Sequence, residues 1–385
     1  AGLPGTASRF ARELLTRGRS VARESGVSLW QLGREQLTLY RRYNLHRSEY
    51  YWYRLNDPKL SWEEKKAYIG GRAAARYWSR FNPKRYWAVT ENKLLFSHYC
   101  SAAKLPHAEL YGVFDPKRGT TADGSPLRSA DDLRDWLDQS GVDEFVLKPV
   151  NSSQGNLILV LRRDPRSSAL IGIDGAQWTP ETLVHHMTDE GNLRIAYPGD
   201  GPLYYEFLIE ERLIPHPEVA RLSGSQTLCT CRVLSLLPTD RPPELITALF
   251  KLQPHNAGVD NTSRGAMAVH IDLETGRLGE GSFMYLKDYR LSPRYRKHPD
   301  GGEPFYGETL PRWPDLAEAV KRTAAAFPML RCVGWDVALT TRGPVIVEGN
   351  VRWGVESLQL AAGRGLARGR LMEVFRELAD VEGES

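Results

Sequence analysis

Residues 332–350 read CVGWDVALTTRGPVIVEGN, and this stretch decides the fold. Two apolar, strand-like runs, 332–339 and 344–348, flank the short segment TRG at 341–343. A three-residue hairpin loop with glycine in third place is a favoured connection, because glycine accepts the left-handed conformation there. The stretch therefore predicts an antiparallel hairpin.

Two acids and an amide share one face of this hairpin. With the hairpin centred on residue 342, Asp336 lies opposite Glu348, and Asn350 falls on the same face two residues further on. Neighbouring carboxylates repel unless a cation neutralises them, and Mg²⁺ takes carboxylate, water and phosphate oxygens. We therefore predict that Asp336, Glu348 and Asn350 are metal ligands. A surface hairpin with scattered polar residues is the alternative.

A candidate phosphate-binding element lies at the end of the apolar run 145–150. Lys148 lies just before the polar loop NSSQG at 151–155, whose backbone N–H groups could cradle phosphate while the lysine reaches it. The chain has no GxxxxGK[ST] sequence, so the loop is not a P-loop. A strand-end lysine before a glycine is by itself weak evidence.

Another strand-like run, YYEFLIEERL at 204–213, ends in acids and is stopped by Pro215 and Pro217. The end of such a strand could present backbone groups to an adenine edge. Glu218 follows closely enough to meet ribose hydroxyls.

Helical and strand-like runs are interspersed along the chain without regular alternation, which predicts an α+β fold. Further strands are expected at 156–161, 229–237, 245–252 and 266–272. Helices are expected at 90–103, 129–139, 314–327 and 364–379, and the segments 28–31 and 61–64 fit capping boxes of earlier helices.

Composition and charge limit the class of protein. The 385 residues are 41% hydrophobic and 25% charged, and no apolar run approaches a membrane span. Four cysteines are too few for a disulfide framework. No signal peptide is visible either, so we predict a cytoplasmic location.

Residues 1–85 are rich in aromatic residues and carry 18 Lys and Arg against 7 Asp and Glu. This basic excess is either a solvated helical face or a peripheral contact with a membrane or protein. Nucleic-acid binding is disfavoured.

These elements, in this order, resemble the ATP-grasp superfamily from about Glu91 to Gln359. The pattern Asp336 … Glu348-x-Asn350 resembles the paired-magnesium site of that family. The segments 208–218, 230–232, 261–265 and 272–276 are similar to its branch of sugar-transfer-associated proteins. The resemblance implies ATP and Mg²⁺, with two ions, as cofactors. It also implies two α+β lobes that clasp ATP, at 86–210 and 211–385, after the helical segment 1–85.

The resemblance also implies roles for single residues. Lys93 matches the first ATP-contacting lysine, Lys148 matches the lysine at the α- and β-phosphates, and Arg232 matches a strand arginine near the transferred phosphoryl group. Ser152, Ser153 and Gly155 match the loop that folds over the phosphates. The backbone of Glu211, Arg212 and Leu213 matches the adenine hinge, and Glu218 matches the acid that binds the ribose.

The function implied is that of an ATP-dependent carboxylate–amine ligase, which forms an amide bond through an acyl phosphate. Arg264 and Arg352 are candidate grips for the substrate carboxylate, or else partners in structural ion pairs. The family usually carries a Rossmann-like domain before the lobes, where this chain has helices, so neither substrate is implied. Two alternatives stay open: a kinase or phosphotransferase, and an ATP-binding partner of a glycan-assembly complex.

Overall fold

A computed structural model of the chain describes residues 18–152, 155–167, 169–196, 202–253, 260, 262, 265–284 and 293–383. Helices and strands alternate irregularly along these residues, as the predicted α+β class requires. The described strands form two antiparallel sheets. None of the helices in this part of the chain has the length and hydrophobicity of a membrane span.

The helices fall into three groups along the chain, and residues 18–25 are also helical. Those before the first sheet are α1 (Leu29–Tyr43), α2 (Arg47–Trp52), α3 (Trp62–Lys66), α4 (Gly71–Phe81), α5 (Ala88–Glu91) and α6 (Lys93–Ala102). Those attached to the first sheet are α7 (Ala130–Ser140), α8 (Pro180–Thr188) and α9 (Glu190–Ala196). Those attached to the second sheet are α10 (Pro217–Ser223), α11 (Trp313–Ala326), α12 (Val355–Ala362) and α13 (Gly369–Gly383).

The N-terminal helices form a small aromatic core of their own. Ser28 caps α1 by accepting the backbone N–H of Gln31, and Ser61 and Glu64 form a reciprocal capping box on α3. The segment is anchored to α12 because the Gln359 amide bonds both the N–H and the C=O of Ile69, at 2.8 and 2.9 Å. A buried backbone needs such partners, so these bonds fix the segment against the second sheet's helices.

The first sheet has the order β2-β1-β7-β3-β4-β5-β6. Its strands are β1 (Leu110–Phe114), β2 (Thr120–Thr121), β3 (Glu144–Pro149), β4 (Leu159–Arg163), β5 (Leu170–Gly172), β6 (Gln177–Trp178) and β7 (Phe207–Glu211). One face packs on α7 and α8 through a continuous apolar cluster. The central pair β3–β7 is the part of this sheet that carries Lys148.

The second sheet has the order β11-β10-β9-β8-β12-β13. Its strands are β8 (Thr230–Leu236), β9 (Glu244–Leu252), β10 (Met267–Ile271), β11 (Leu278–Ser282), β12 (Cys332–Thr340) and β13 (Gly343–Asn350). Both faces are covered: α6 and α11 lie on one, and α4, α12 and α13 on the other. Such double coverage explains why β8, β9 and β12 read as nearly continuous apolar runs.

Most expected elements lie within a few residues of their observed bounds. The strand expected from residue 156 begins only at Leu159, because Gly155 and Leu157 have positive φ angles of 70° and 58° and form a turn. The helix expected at 364–379 runs from Gly369 to Gly383, because a turn at 363–368 separates it from α12. The lobe boundaries at 85 and 210 stay predictions.

Candidate active site

A cleft of about 660 Å³ lies between the two sheets. Residues from both sheets and from the N-terminal helices line it. Among its lining residues are most of those singled out in the sequence, which are Lys93, Lys148, Ser152, Gly155, Glu211, Arg212, Leu213, Arg232, Asp336, Glu348, Asn350 and Arg352. Segments more than 200 residues apart in the chain therefore meet in one cavity.

The β12–β13 hairpin pairs Asp336 with Glu348 and Gly334 with Asn350, in the predicted register. The route to this register differs from the expected one. Only Thr341 and Arg342 connect the strands, so Thr340 pairs with Gly343. A bulge between Asp336 and Val337 then shifts the pairing by one residue. The bulge compensates for the shorter loop, and the two acids still lie opposite each other.

Asp336 is neutralised by two cations from neighbouring strands. Arg232, its cross-strand partner on β8, donates two hydrogen bonds to the carboxylate at 2.8 and 2.7 Å. Lys251 on β9 adds a third at 2.9 Å. Burial alone would raise the pKa of this carboxyl, but the charges of Arg232 and Lys251 outweigh burial and lower the pKa to about 2. Asp336 is therefore held in its ionised form.

Glu348 and Asn350 complete the oxygen set beside Asp336. Glu348 forms no ion pair or hydrogen bond with another described residue, so its carboxylate is open to the cleft. The Asn350 amide donates to the Gly334 carbonyl at 3.2 Å and more loosely to Asp336 at 3.4 Å. With the amide nitrogen engaged, the amide oxygen is left to accept or to ligate.

These three side chains fit a hard divalent cation. No group of three His, Cys, Asp or Glu side chains in the described ranges could hold a metal ion by itself. Two carboxylates and an amide would give Mg²⁺ part of its octahedron, and phosphate and water would supply the rest. The donor set therefore suits a metal that arrives with a phosphate ligand.

The opposite wall of the cleft carries two lysines, Lys148 on β3 of the first sheet and Lys93 at the start of α6. Lys148 is 8% exposed and forms an ion pair with Glu210 of β7. Lys93, at the start of α6, donates to the Ser152 carbonyl. Burial lowers the pKa of Lys93, with Glu348 opposing that effect and Lys148 adding to it. The Ser152 hydroxyl is buried without a hydrogen-bond partner among the described residues, so an acceptor is missing there.

The hinge predicted at Glu211–Leu213 joins this wall to the tip of the hairpin. Glu211 accepts hydrogen bonds from the Glu109 N–H at 3.1 Å and from Arg342 at 2.7 Å. Arg212 pairs with Glu144 at 2.7 Å. Both charged side chains are engaged in these pairs, and Leu213 is buried. All three residues line the cleft.

Two predicted residues have other surroundings, and two cannot be placed. Glu218 is not among the cleft residues: it lies in the first turn of α10, largely exposed, and pairs with Arg221 at 2.9 Å. Arg352 lies on the rim, where it pairs with Glu91 at 2.9 Å. Ser153 and Arg264 lie outside the described residues.

Five charged residues that line the cleft were not predicted as site residues, and they are Glu91, Glu210, Lys251, Asp260 and Glu356. Lys251 and Glu210 each interrupt an apolar strand, and that interruption was a usable signal. Asp260 accepts hydrogen bonds from the N–H and hydroxyl of Thr230 and lies 3.8 Å from Lys251. It follows the sequence PHNAGV at 254–259, and nothing in its local sequence distinguishes it.

Residues 72–375 match the family described as sugar-transfer associated ATP-grasp. The chain belongs to this family. The match covers both sheets, α4 to α12 and the cleft between them. The match begins within α4, so α1 to α3 precede the matched region, and the fold is an ATP-grasp fold preceded by helices.

Several solved structures of ligases are similar to this chain at low sequence identity. They include phosphoribosylamine–glycine ligase of Thermotoga maritima (11% identity, 80% of this chain and 61% of that chain, TM-score 0.43). D-alanine–D-alanine ligase of Helicobacter pylori is 12% identical, with 76% of this chain and 61% of that chain covered and a TM-score of 0.38. L-amino acid ligase of Bacillus licheniformis is 11% identical, with 75% of this chain and 48% of that chain covered and a TM-score of 0.36. The chain thus spans about half to two-thirds of those proteins. Among curated proteins, none matches the chain significantly.

Proposed function

We propose that the cleft binds ATP with Mg²⁺ and that the protein activates a carboxylate as an acyl phosphate for attack by an amine. The observation that carries the proposal is the row Glu348, Asp336 and Arg232 across three adjacent strands. Two carboxylates thus lie next to a guanidinium in the same cleft as Lys148 and Lys93. A triphosphate between the two walls would meet cations from both.

The cleft residues would mainly offset charge. A carboxylate and a γ-phosphate are both anionic, so the reaction needs cations close to the atoms that react. Asp336, Glu348 and Asn350 would hold Mg²⁺, which supplies charge neutralisation at the phosphate oxygens when bound. Lys148 on the first sheet and Lys93 on α6 would bind the phosphates, and the Ser152 hydroxyl, which has no hydrogen-bond partner among the described residues, would donate to one of them. Arg232 and Lys251 would face the transferred group.

Three acids of the cleft, Asp336, Glu210 and Asp260, are poor candidates for the general base that a hydroxyl acceptor would need, and Glu348 is assigned to Mg²⁺ in this proposal. A hydroxyl must lose its proton to a general base as it attacks phosphorus. Asp336 is a poor base, because two cations bind it and its pKa is about 2. Glu210 is paired with Lys148 and Asp260 with Thr230. A carboxylate is already ionised near neutral pH and needs no base.

The proposed reaction has two bond exchanges. A carboxylate oxygen attacks the γ-phosphorus, the bond from phosphorus to the ADP oxygen breaks, and ADP leaves. The amine nitrogen then attacks the acyl carbon, the bond from that carbon to the phosphate oxygen breaks, and inorganic phosphate leaves with a proton lost from nitrogen. The closed cleft would protect the acyl phosphate from water during the interval. Such chemistry also suits the cytoplasmic location proposed for the chain.

A paired-substrate screen tests the proposal. ADP and phosphate would be measured with ATP, Mg²⁺ and panels of amino acids, amines and sugar acids, singly and in pairs. We expect phosphate release only when one carboxylate and one amine are present together. Transfer of the γ-phosphate to a hydroxyl acceptor without free phosphate would identify a kinase instead. ATP binding without turnover in every pair would leave a binding partner, and residues 1–85 would then be its candidate docking segment.

A further inference from the structure

Asn82, the residue that ends α4, is 0% exposed. Its backbone N–H donates to the Trp78 carbonyl at 2.9 Å and closes the helix. Its carbonyl accepts the indole N–H of Trp87 at 2.7 Å. Both backbone groups of Asn82 thus find their partners in the N-terminal helical part of the chain, and the side chain is left to bond elsewhere.

The side-chain amide of Asn82 bonds both strands of the β12–β13 hairpin. Its Oδ1 accepts the N–H of Arg331 at 3.0 Å and that of Cys332 at 3.1 Å, where β12 begins. Its Nδ2 donates to the Cys332 carbonyl at 2.7 Å and to the Val351 carbonyl at 3.3 Å, just after β13 ends. An amide has two donor hydrogens and an oxygen with two lone pairs, so these four bonds use its whole capacity.

These bonds lie at the end of the hairpin where a proposed metal ligand is placed. The ladder between the two strands ends with the pair Gly334 and Asn350, and the Asn350 amide donates to the Gly334 carbonyl at 3.2 Å. Val351 follows Asn350 directly, and Cys332 comes two residues before Gly334. The amide of Asn82 therefore joins the strands just beyond their last backbone pair.

The place of Asn350 depends on how this end of the hairpin is held. Strand ends open easily where cross-strand pairing stops, unless another group bonds their backbone. Asp336 is fixed separately by Arg232 and Lys251, further along the same strand. Groups that orient a metal ligand matter for affinity, and losing one typically costs about 10- to 100-fold. A bond network at the open end is therefore expected to act on Asn350 above all.

We propose that Asn82 is a positioning residue of the metal site, whose amide holds the open end of the hairpin so that Asn350 reaches the cation bound by the two acids. The inference rests on the proposed function, because it takes Asn350 to be a metal ligand. Asn82 does not line the cleft, yet it ends a helix of the N-terminal group. Those helices would then belong to the active site as the support of a ligand.

Gln359 offers a matched control, because it is an equally buried amide that joins the N-terminal helices to the second sheet's helices. It bonds the N–H and C=O of Ile69 and accepts the N–H of Leu366 at 3.1 Å, and none of these bonds involves the hairpin. Truncating either amide leaves buried backbone groups without partners. Loss of stability is therefore common to N82A and Q359A, whereas an effect on the metal is expected only in N82A.

Titration calorimetry of the full-length protein with a non-hydrolysable ATP analogue, in excess Mg²⁺ or in EDTA, tests the proposal without turnover. The ratio of the two affinities measures how strongly the metal assists nucleotide binding. We expect N82A to lower this ratio by about tenfold and Q359A to leave it unchanged, with circular dichroism showing that both are folded. W87F removes only the indole donor to the Asn82 carbonyl, so it should lower the ratio by about twofold.

A ratio in N82A and W87F equal to that of the wild type would overturn the proposal. So would an equal fall in N82A and Q359A, because the effect would then follow from lost stability alone. If N82A does not fold, the comparison of W87F with Q359A decides. Nucleotide binding by the wild type that does not respond to Mg²⁺ at all would remove the metal site itself, and with it both the role of Asn82 and the proposed function.

Discussion

The two walls of the cleft solve the same electrostatic problem in different ways. On the first sheet, Lys148 is held by one acid, Glu210, in a simple pair. On the second sheet, Asp336 is held by two cations that make three hydrogen bonds. Glu348, directly opposite Asp336, has no such partner among the described residues. The charge of Lys148 on the first sheet is balanced by Glu210. On the second sheet, Asp336 is bound by two cations, whereas the neighbouring Glu348 forms no ion pair with a described residue.

Within this row of side chains, the charge of Asp336 is bound by neighbouring cations, whereas the charge of Glu348 is available to a ligand. Asp336 is 4% exposed, so its charge would be very costly without Arg232 and Lys251. Glu348 is less buried and lines the cleft, so its charge is available to a ligand. If both residues bind one cation, their removal should abolish the same activity but affect stability unequally.

Replacing Asp336 by asparagine should have the largest effect. The change leaves Arg232 and Lys251 buried without their counter-charge, and breaking a buried pair in this way typically costs about 3 kcal/mol or more. We expect the free energy of unfolding in urea to fall by roughly that amount and nucleotide turnover to be lost. Unchanged stability in D336N would contradict the view that the carboxylate balances two buried cations.

Replacing Glu348 by glutamine should affect activity alone. The side chain keeps its shape and gives up no ion pair with a described residue, so the free energy of unfolding should change by less than about 0.5 kcal/mol. Loss of one metal ligand should lower ADP formation by about 100-fold or more. Turnover equal to that of the wild type would show that Glu348 holds no catalytic cation. E348Q thus serves as the matched control for D336N.

The pH dependence of stability should differ between wild type and D336N. The pKa of Asp336 is lowered to about 2 in the folded chain from an ordinary value of 3.8. Such a carboxyl stabilises the fold above about pH 4, and this contribution is lost as the pH falls through 2. The difference in unfolding free energy between the two proteins should shrink by about 2 kcal/mol between pH 5 and pH 2. A constant difference across that range would contradict the lowered pKa.

Counting residues along one hairpin was enough to pair Asp336 with Glu348, although two local features were unforeseen. The loop is one residue shorter than expected, and a bulge restores the register. A bulge has no clear signature in the local sequence. The predicted pairing is correct because the shorter loop and the bulge compensate for each other. Hairpin pairing is short-range, and for that reason it is the part of the site that sequence predicts best.

Residues that meet through sheet order were harder to predict. Lys251 reaches Asp336, 85 residues away in the chain, because β9, β8 and β12 are adjacent in the sheet. No local pattern encodes that order. Glu218 shows the opposite problem, since its distance along the chain suggested the ribose position. Pro217 at the first position of α10 and the cap from His216 begin a helix there, and Glu218 pairs on the surface with Arg221.

Arg352 should show the smallest effect on stability and the sharpest effect on substrate binding. Its pair with Glu91 is exposed on both sides, so R352Q should change the free energy of unfolding by less than about 0.5 kcal/mol. If Arg352 binds the acceptor carboxylate from the rim, KM for that substrate should rise about tenfold with kcat nearly unchanged.

The variant E91Q breaks the same ion pair and leaves the guanidinium in place, so it separates the two roles of Arg352. We expect E91Q to keep the wild-type KM, and R352K, which retains the charge without the planar fork, to lie between wild type and R352Q. Should E91Q and R352Q raise KM equally, the ion pair itself would shape the rim, and the acceptor would have to be held by other residues. An unchanged KM in R352Q would reduce Arg352 to a surface ion-pair partner.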